Sequence, residues 1–161
     1  MGDRIDKLVN QWLAERPELD CSGLDVVARV QDVAKMLRRI EDETLESLNL
    51  KMSEYDVLTA LRRQGRPYQL TASQLARESL LSSGAMTHRI DRLEERGLVE
   101  READPDDRRG VIVRLTAIGQ ELVDKALEAR LNLADAQIAS LTPEERQAIS
   151  LGLRKVMAAT S

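Results

Sequence analysis

One cysteine, one histidine and no long apolar run set the first limits on this 161-residue chain. Cys21 alone excludes an internal disulfide framework, and with His88 as the single histidine the chain is too poor in soft ligands for a dedicated zinc site. No metal and no cofactor are expected. A membrane-spanning helix needs about 18 apolar residues in succession, which this chain never reaches. The opening MGDRIDKLVNQWLAERPELD has neither the apolar block nor the cleavage site of a secretory signal, so the cytoplasm is the expected compartment and no membrane partner is expected. A surplus of positive charge is missing as well: 24 Lys and Arg stand against 28 Asp and Glu, a net charge of -4. Any contact with nucleic acid must therefore rely on arginines placed locally. There is no Gly-rich phosphate loop, nucleophile elbow or histidine pair, which argues against an enzyme.

What remains is 42% apolar and 32% charged, the composition of a folding globular domain. Ile5, Leu8, Val9, Trp12 and Leu13 recur at helical spacing before Arg16-Pro17 ends the segment. Val26, Val30, Val33, Leu37 and Ile40 alternate four and three apart, a seam that calls for a partner helix. Three short helices follow, with start signals at Ser53-x-x-Asp56, Thr71-x-x-Gln74 and Ser82-Ser83, and with stops at Gly65 and Gly97. LVEREA and GVIVRLT then alternate in twos around Asp104, Pro105, Asp106 and Asp107, which predicts a β-hairpin. Thr116 starts a long helix carrying Ile118, Leu122, Val123, Leu127, Leu131, Leu133 and Ile138, and Thr142-Pro143-Glu144-Glu145 starts a last one. The fold class expected is mainly α with one small β-hairpin wing: N-terminal helices over 1–50, a winged helix-turn-helix over 51–117, and C-terminal helices over 118–161.

In such a lobe the third short helix enters the major groove of double-stranded DNA and the hairpin reaches a neighbouring minor groove. Met86, Ile90 and Leu93 share one face and should anchor that helix, while Gly84, His88, Asp91, Arg92 and Glu95 point away with Thr87 at the edge. Ser82, Ser83 and Gly84 keep the leading end small, so its backbone amides can approach a phosphate. Asp91, Glu94 and Glu95 make the trailing end acidic, and it should stand clear of the duplex. Arg108 and Arg109 at the hairpin apex suit the negative potential of a narrow minor groove, with Asp107 able to orient Arg109. Capping and solvation explain Ser82, Ser83, His88 and Arg92 taken singly. They do not explain the adjacent arginines.

LARESLLSSGAMTHRIDRLEERGLVER (75–101) and DPDDRRGVIVRLTAIG (104–119) resemble the multiple-antibiotic-resistance-regulator (MarR) family of bacterial transcription factors. The resemblance implies a homodimer with interlocked terminal helices, bound to a palindromic operator as a repressor and released by a small anionic ligand. The N-terminal helix with its tryptophan, together with SSGAMTHRIDRLE, is similar to the urate-responsive, PecS-like subgroup. That subgroup's ligand site and relay to DNA fall on Trp12, Asp56, Arg89 and Arg101. Periodicity independently puts Arg89 on an inward shoulder of its helix and Arg101 in phase with the inward Val99, with Asp56 as a candidate acid for both. Asp56 also reads as a capping residue and Trp12 as a core residue. Two other readings stay open: a redox-sensing regulator working through Cys21, although no basic residue stands beside it in sequence to activate the thiol, and a winged-helix module that binds protein without a ligand.

Overall fold

The computed structural model describes residues 2–105, 107 and 110–160. Its elements are α1 (Arg4–Glu15), α2 (Ser22–Ser47), α3 (Met52–Arg63), β1 (Gln69–Thr71), α4 (Ala72–Glu78), α5 (Ser83–Glu95), β2 (Val99–Ala103), β3 (Val111–Leu115), α6 (Ala117–Gln137) and α7 (Pro143–Thr160). They form two compact units, Met1–Glu43 and Thr44–Ser161. No described helix is long and apolar enough to cross a membrane.

In the first unit α1 is started by Asp3, whose carboxylate accepts from the backbone N–H of Ile5 (2.7 Å) and Asp6 (2.9 Å). Asp6 returns the contact by accepting from the Asp3 N–H at 2.7 Å, so two orphan donors of the helix end are satisfied at once. Arg29 of α2 then ties the helices together, donating to Asp3 at 2.9 Å, to Asp6 at 2.5 Å and to Asp25 of its own helix. Arg4 pairs with Asp32 beside it. Ile5 is buried. The seam predicted along α2 remains open, with Val26, Val30 and Val33 at 55%, 41% and 45% exposure.

In the second unit the start signals at Thr71, Ser82, Thr116 and Thr142 all operate: each side-chain oxygen accepts from a backbone N–H three residues on. The start of α3 differs from expectation. Its first residue is Met52, and the N–H of Lys51 is satisfied by Glu54 Oε2 at 3.0 Å, so the carboxylate that caps belongs to Glu54 and not to Asp56. The sheet contains the expected hairpin and extends it. β1 adds a third strand, giving the antiparallel order β1-β3-β2, with Leu70 opposite Val113 and Arg101 opposite Val113 on the other side. A two-stranded ribbon is marginal alone, and the third strand roots the hairpin in the body of the lobe.

Val57, Leu58, Leu61, Leu75, Met86, Ile90, Leu93 and Val113, each at most 1% exposed, make the core beneath that sheet. Leu45 of α2 and Val123 and Ala126 of α6 belong to it too, so the lobe's packing reaches past residues 51–117 at both ends. Two glycines fix the corner between α5, the hairpin and α6. Gly97 takes φ +67° where the chain leaves α5, a conformation that disfavours any side chain with a Cβ. A Cβ on Gly119 would stand 2.0 Å from the carbonyl oxygen of Leu98, so α6 approaches the start of β2 as closely as backbone allows. Thr116 locks that corner, donating its hydroxyl to Gly97 O at 2.7 Å and its N–H to Leu98 O at 3.2 Å.

Candidate nucleic-acid interface and ligand cleft

α5 is the third short helix, the one expected in the major groove, and its burial follows the face that periodicity predicts. Met86, Ile90 and Leu93 are at most 1% exposed and fasten one face to the core, each burial stabilising the helix's placement by roughly 2 kcal/mol. Ser82, Ser83, Gly84, Thr87, His88 and Arg92 are all exposed, and the His88 imidazole is 84% accessible. Ser82 caps through its hydroxyl, which accepts from the Ala85 N–H at 3.3 Å. Thr87 donates to Ser83 O at 2.9 Å, and Arg92 Nε leans back on His88 O at 3.4 Å. The leading turn thus presents small residues and a helix N-terminus, an arrangement suited to phosphate oxygens.

β2 and β3 carry the wing. At its base the Asp104 N–H donates to Gly110 O at 3.1 Å, and the Gly110 N–H donates to Asp107 O at 2.7 Å. Arg108 and Arg109, and with Arg109 the orienting role assigned to Asp107, lie outside the described residues.

On the flank of α5 opens a cleft of about 360 Å³ between α3, α4 and α5, lined by Asp56, Thr59, Ala60, Arg63, Glu78, Ser79 and Arg89. Arg89 is half-buried there, and its guanidinium reaches only the backbone oxygen of Ser53 at 3.5 Å. Asp56, released from the capping role, also lines the cleft. Neither forms an ion pair with any other described residue, whereas Arg63 and Glu78 face each other at 3.8 Å. Two of the four expected ligand-site residues are therefore brought together.

Within the same unit Arg101 is placed differently. Arg101 does project from the inward face of β2, but not toward Asp56. It pairs with Asp91 at 2.5 Å and Glu94 at 3.2 Å and donates to Thr87 O at 3.3 Å, so two of the acids on the trailing end of α5 are the acids that hold it. Trp12 belongs to the first unit, where it is 47% exposed rather than a core residue. Cys21 is a free, half-buried thiol.

Sequence reading missed the residues that moor α5 from behind. Arg96, the C-cap of α5, donates to Glu54 Oε2 at 2.9 Å and to Asn49 O at 2.7 Å, and Glu54 is buried. The Ser53-x-x-Asp56 pattern overlaps the glutamate one position after Ser53 and masks its capping signal.

A family model described as MarR family matches residues 48–110. The HTH-type transcriptional regulator PecS of Dickeya dadantii (strain 3937) is 30% identical over 142 residues, covering 88% of this chain and 86% of PecS. Among solved structures, a mutant MarR from E. coli complexed with operator DNA superposes with a TM-score of 0.69 at 25% identity, covering 90% of this chain and 96% of that one. The organohalide-sensing RdhR-CbdbA1625 transcriptional regulator in its 2,4-dichlorophenol-bound form gives 0.72 at 25% identity, over 88% and 82% of the two chains.

Proposed function

The chain belongs to the MarR family of DNA-binding transcriptional regulators, and we propose that it is a cytoplasmic homodimeric repressor that a small anionic ligand removes from a palindromic operator. The observation that carries this reading is the pair Arg89 and Asp56, two opposite charges on one cleft with no ion-pair partner among the described residues, beside the helix assigned to DNA. A guanidinium in that state is a site for an oxyanion. An ionised carboxylate only accepts, so the part of the ligand facing Asp56 must carry an N–H or O–H. Urate, other purines and hydroxylated aromatic carboxylates meet both demands. Solved relatives support the two halves of the reading, one being a complex with operator DNA and the other a form with a bound chlorophenol.

In this reading α5 lies in the major groove with Ser82, Ser83, Gly84, Thr87, His88 and Arg92 at the DNA, and Arg108 and Arg109 enter the minor groove. Two such helices on a symmetric dimer must match grooves about 34 Å apart. A ligand that draws Arg89 away from Ser53 shifts α5 and favours a dimer shape out of register with the operator. The open apolar faces of α2, α6 and α7 supply surface for self-association.

The test is a gel-shift series on the chain's own upstream DNA with urate and a panel of anionic metabolites. A ligand from this class should release the wild-type protein, while Arg89→Ala should bind DNA within about threefold of wild type and lose most of the ligand response. An equal ligand response in Arg89→Ala removes the cleft as the site. Arg109→Ala should weaken operator binding by about tenfold and lower its salt dependence. Undiminished affinity at matched salt removes the minor-groove role.

A further inference from the structure

Arg101 raises a question that neither ligand binding nor folding answers. Its guanidinium spans two carboxylates of one helix, Asp91 at 2.5 Å and Glu94 at 3.2 Å, and also touches the Thr87 carbonyl at 3.3 Å. All three side chains are partly open to solvent, at 27%, 38% and 40%, and ion pairs so exposed contribute little to folding. Their location is more informative. Asp91 follows His88 by one turn, its second oxygen 4.0 Å from His88 Nδ1, and it neighbours Arg92. It therefore belongs to the stripe of α5 that faces away from the core. A carboxylate there meets a duplex that carries one negative charge per about 1.7 Å of axis. Unneutralised, Asp91 and Glu94 would repel the surface that α5 must approach.

We propose that Arg101 is a charge-masking residue for DNA binding: reaching from the wing strand, it neutralises Asp91 and Glu94, so that the trailing half of α5, which its acids alone would keep clear of the duplex, can lie along DNA. The inference rests on the reading that α5 is the DNA-facing helix. It assigns Arg101 no contact with phosphate. The register explains why this arginine can do so: Arg101 is the middle residue of β2, opposite Val113, on the strand face that packs toward α5. Affinity and the seating of the wing are thereby coupled, because the strand that carries the apex also carries the counter-charge.

The experiment is a double-mutant cycle read by fluorescence anisotropy, using the full-length protein, a labelled fragment of its own upstream DNA and a mixed-sequence duplex, each over a range of salt. Arg101→Gln should weaken both by about tenfold at low salt, and the loss should shrink to within about twofold in an Asp91→Asn, Glu94→Gln background. Arg101→Lys should retain most of the affinity. A direct phosphate contact predicts the same loss in both backgrounds, and that outcome overturns the proposal, as does an undiminished affinity in Arg101→Gln. Should Arg101→Gln fail to fold, the neutralised variant decides alone: with Arg101 freed, Asp91→Asn, Glu94→Gln must bind DNA more tightly than wild type, and an equal or weaker affinity sinks the idea. If wild-type affinity proves indifferent to His88→Ala and Arg92→Ala, the orientation of α5 fails. That outcome is distinct from a cycle that shows no coupling.

Discussion

Met86, Ile90 and Leu93 of α5 and Ile149, Leu153 and Val156 of α7 recur at the same spacing, four residues and then three, yet their fates are opposite. The first three are at most 1% exposed, and the second three stand open at 48%, 41% and 47%. An apolar stripe fixes which face of a helix seeks cover and is silent about what provides it. In the winged lobe the cover is local, because α3, α4 and the sheet close over α5 within a few dozen residues. The apolar face of α7 stays open, and the same is true of Val26, Val30 and Val33 on α2.

The largest effect of a single substitution is expected at the lobe's tightest corner. Gly119→Ala sets a methyl 2.0 Å from Leu98 O, and a backbone shift is the only relief. Overpacking of this kind costs about 1–3 kcal/mol, which should lower the melting midpoint by roughly 5–10 °C and loosen wing and α6 together. A melting curve matching wild type would mean that the corner has slack. Next in size is Leu153→Asp. If α7 is covered by a second copy, a buried unpaired carboxylate weakens self-association on the order of a hundredfold while the lobe keeps its helicity. Sedimentation velocity with circular dichroism separates the two readouts, and an unchanged mass would leave the face of α7 to another purpose.

The smallest effect concerns the first unit. The backbone N–H of Asp6 foremost, with Arg29 and the N–H of Ile5, holds the Asp3 carboxyl below its ordinary value, against an opposing effect of desolvation that is second in size. A depressed carboxylate contributes stability that is complete above its unfolded pKa and is lost as pH falls through the folded one. Amide exchange in residues 4–15 should therefore quicken only below the ordinary carboxylate range. In Asp3→Asn it should be faster at neutral pH and less sensitive to acid.

Much of this architecture was legible because caps and periods are local. Thr71, Ser82, Thr116 and Thr142 start helices by reaching three residues ahead, and no distant partner is needed to see that. β1 was hidden for the converse reason. Three residues, Gln69–Thr71, are too few to show alternation, and their partners lie some forty positions on, in β3. The start of α3 was misread because Lys51 is no capping type, and the signal resided wholly in Glu54. At the site, periodicity put Arg89 on a shoulder and Arg101 on the inward strand face. Their acids depend on tertiary placement, and only the fold separates Asp56 in the cleft from Asp91 and Glu94 at the wing.

The buried carboxylate of Glu54 serves both the first turn of α3 and the C-cap of α5, through Lys51 and Arg96. These two elements consequently cannot be exchanged as independent cassettes. Transplanting the reading segment 83–95 into a related scaffold to redirect its target would strand an acid in the recipient unless Arg96 travels with it and residue 54 matches. Chimeras cut one position later and paired at position 54 should outperform those cut where the helix visibly ends.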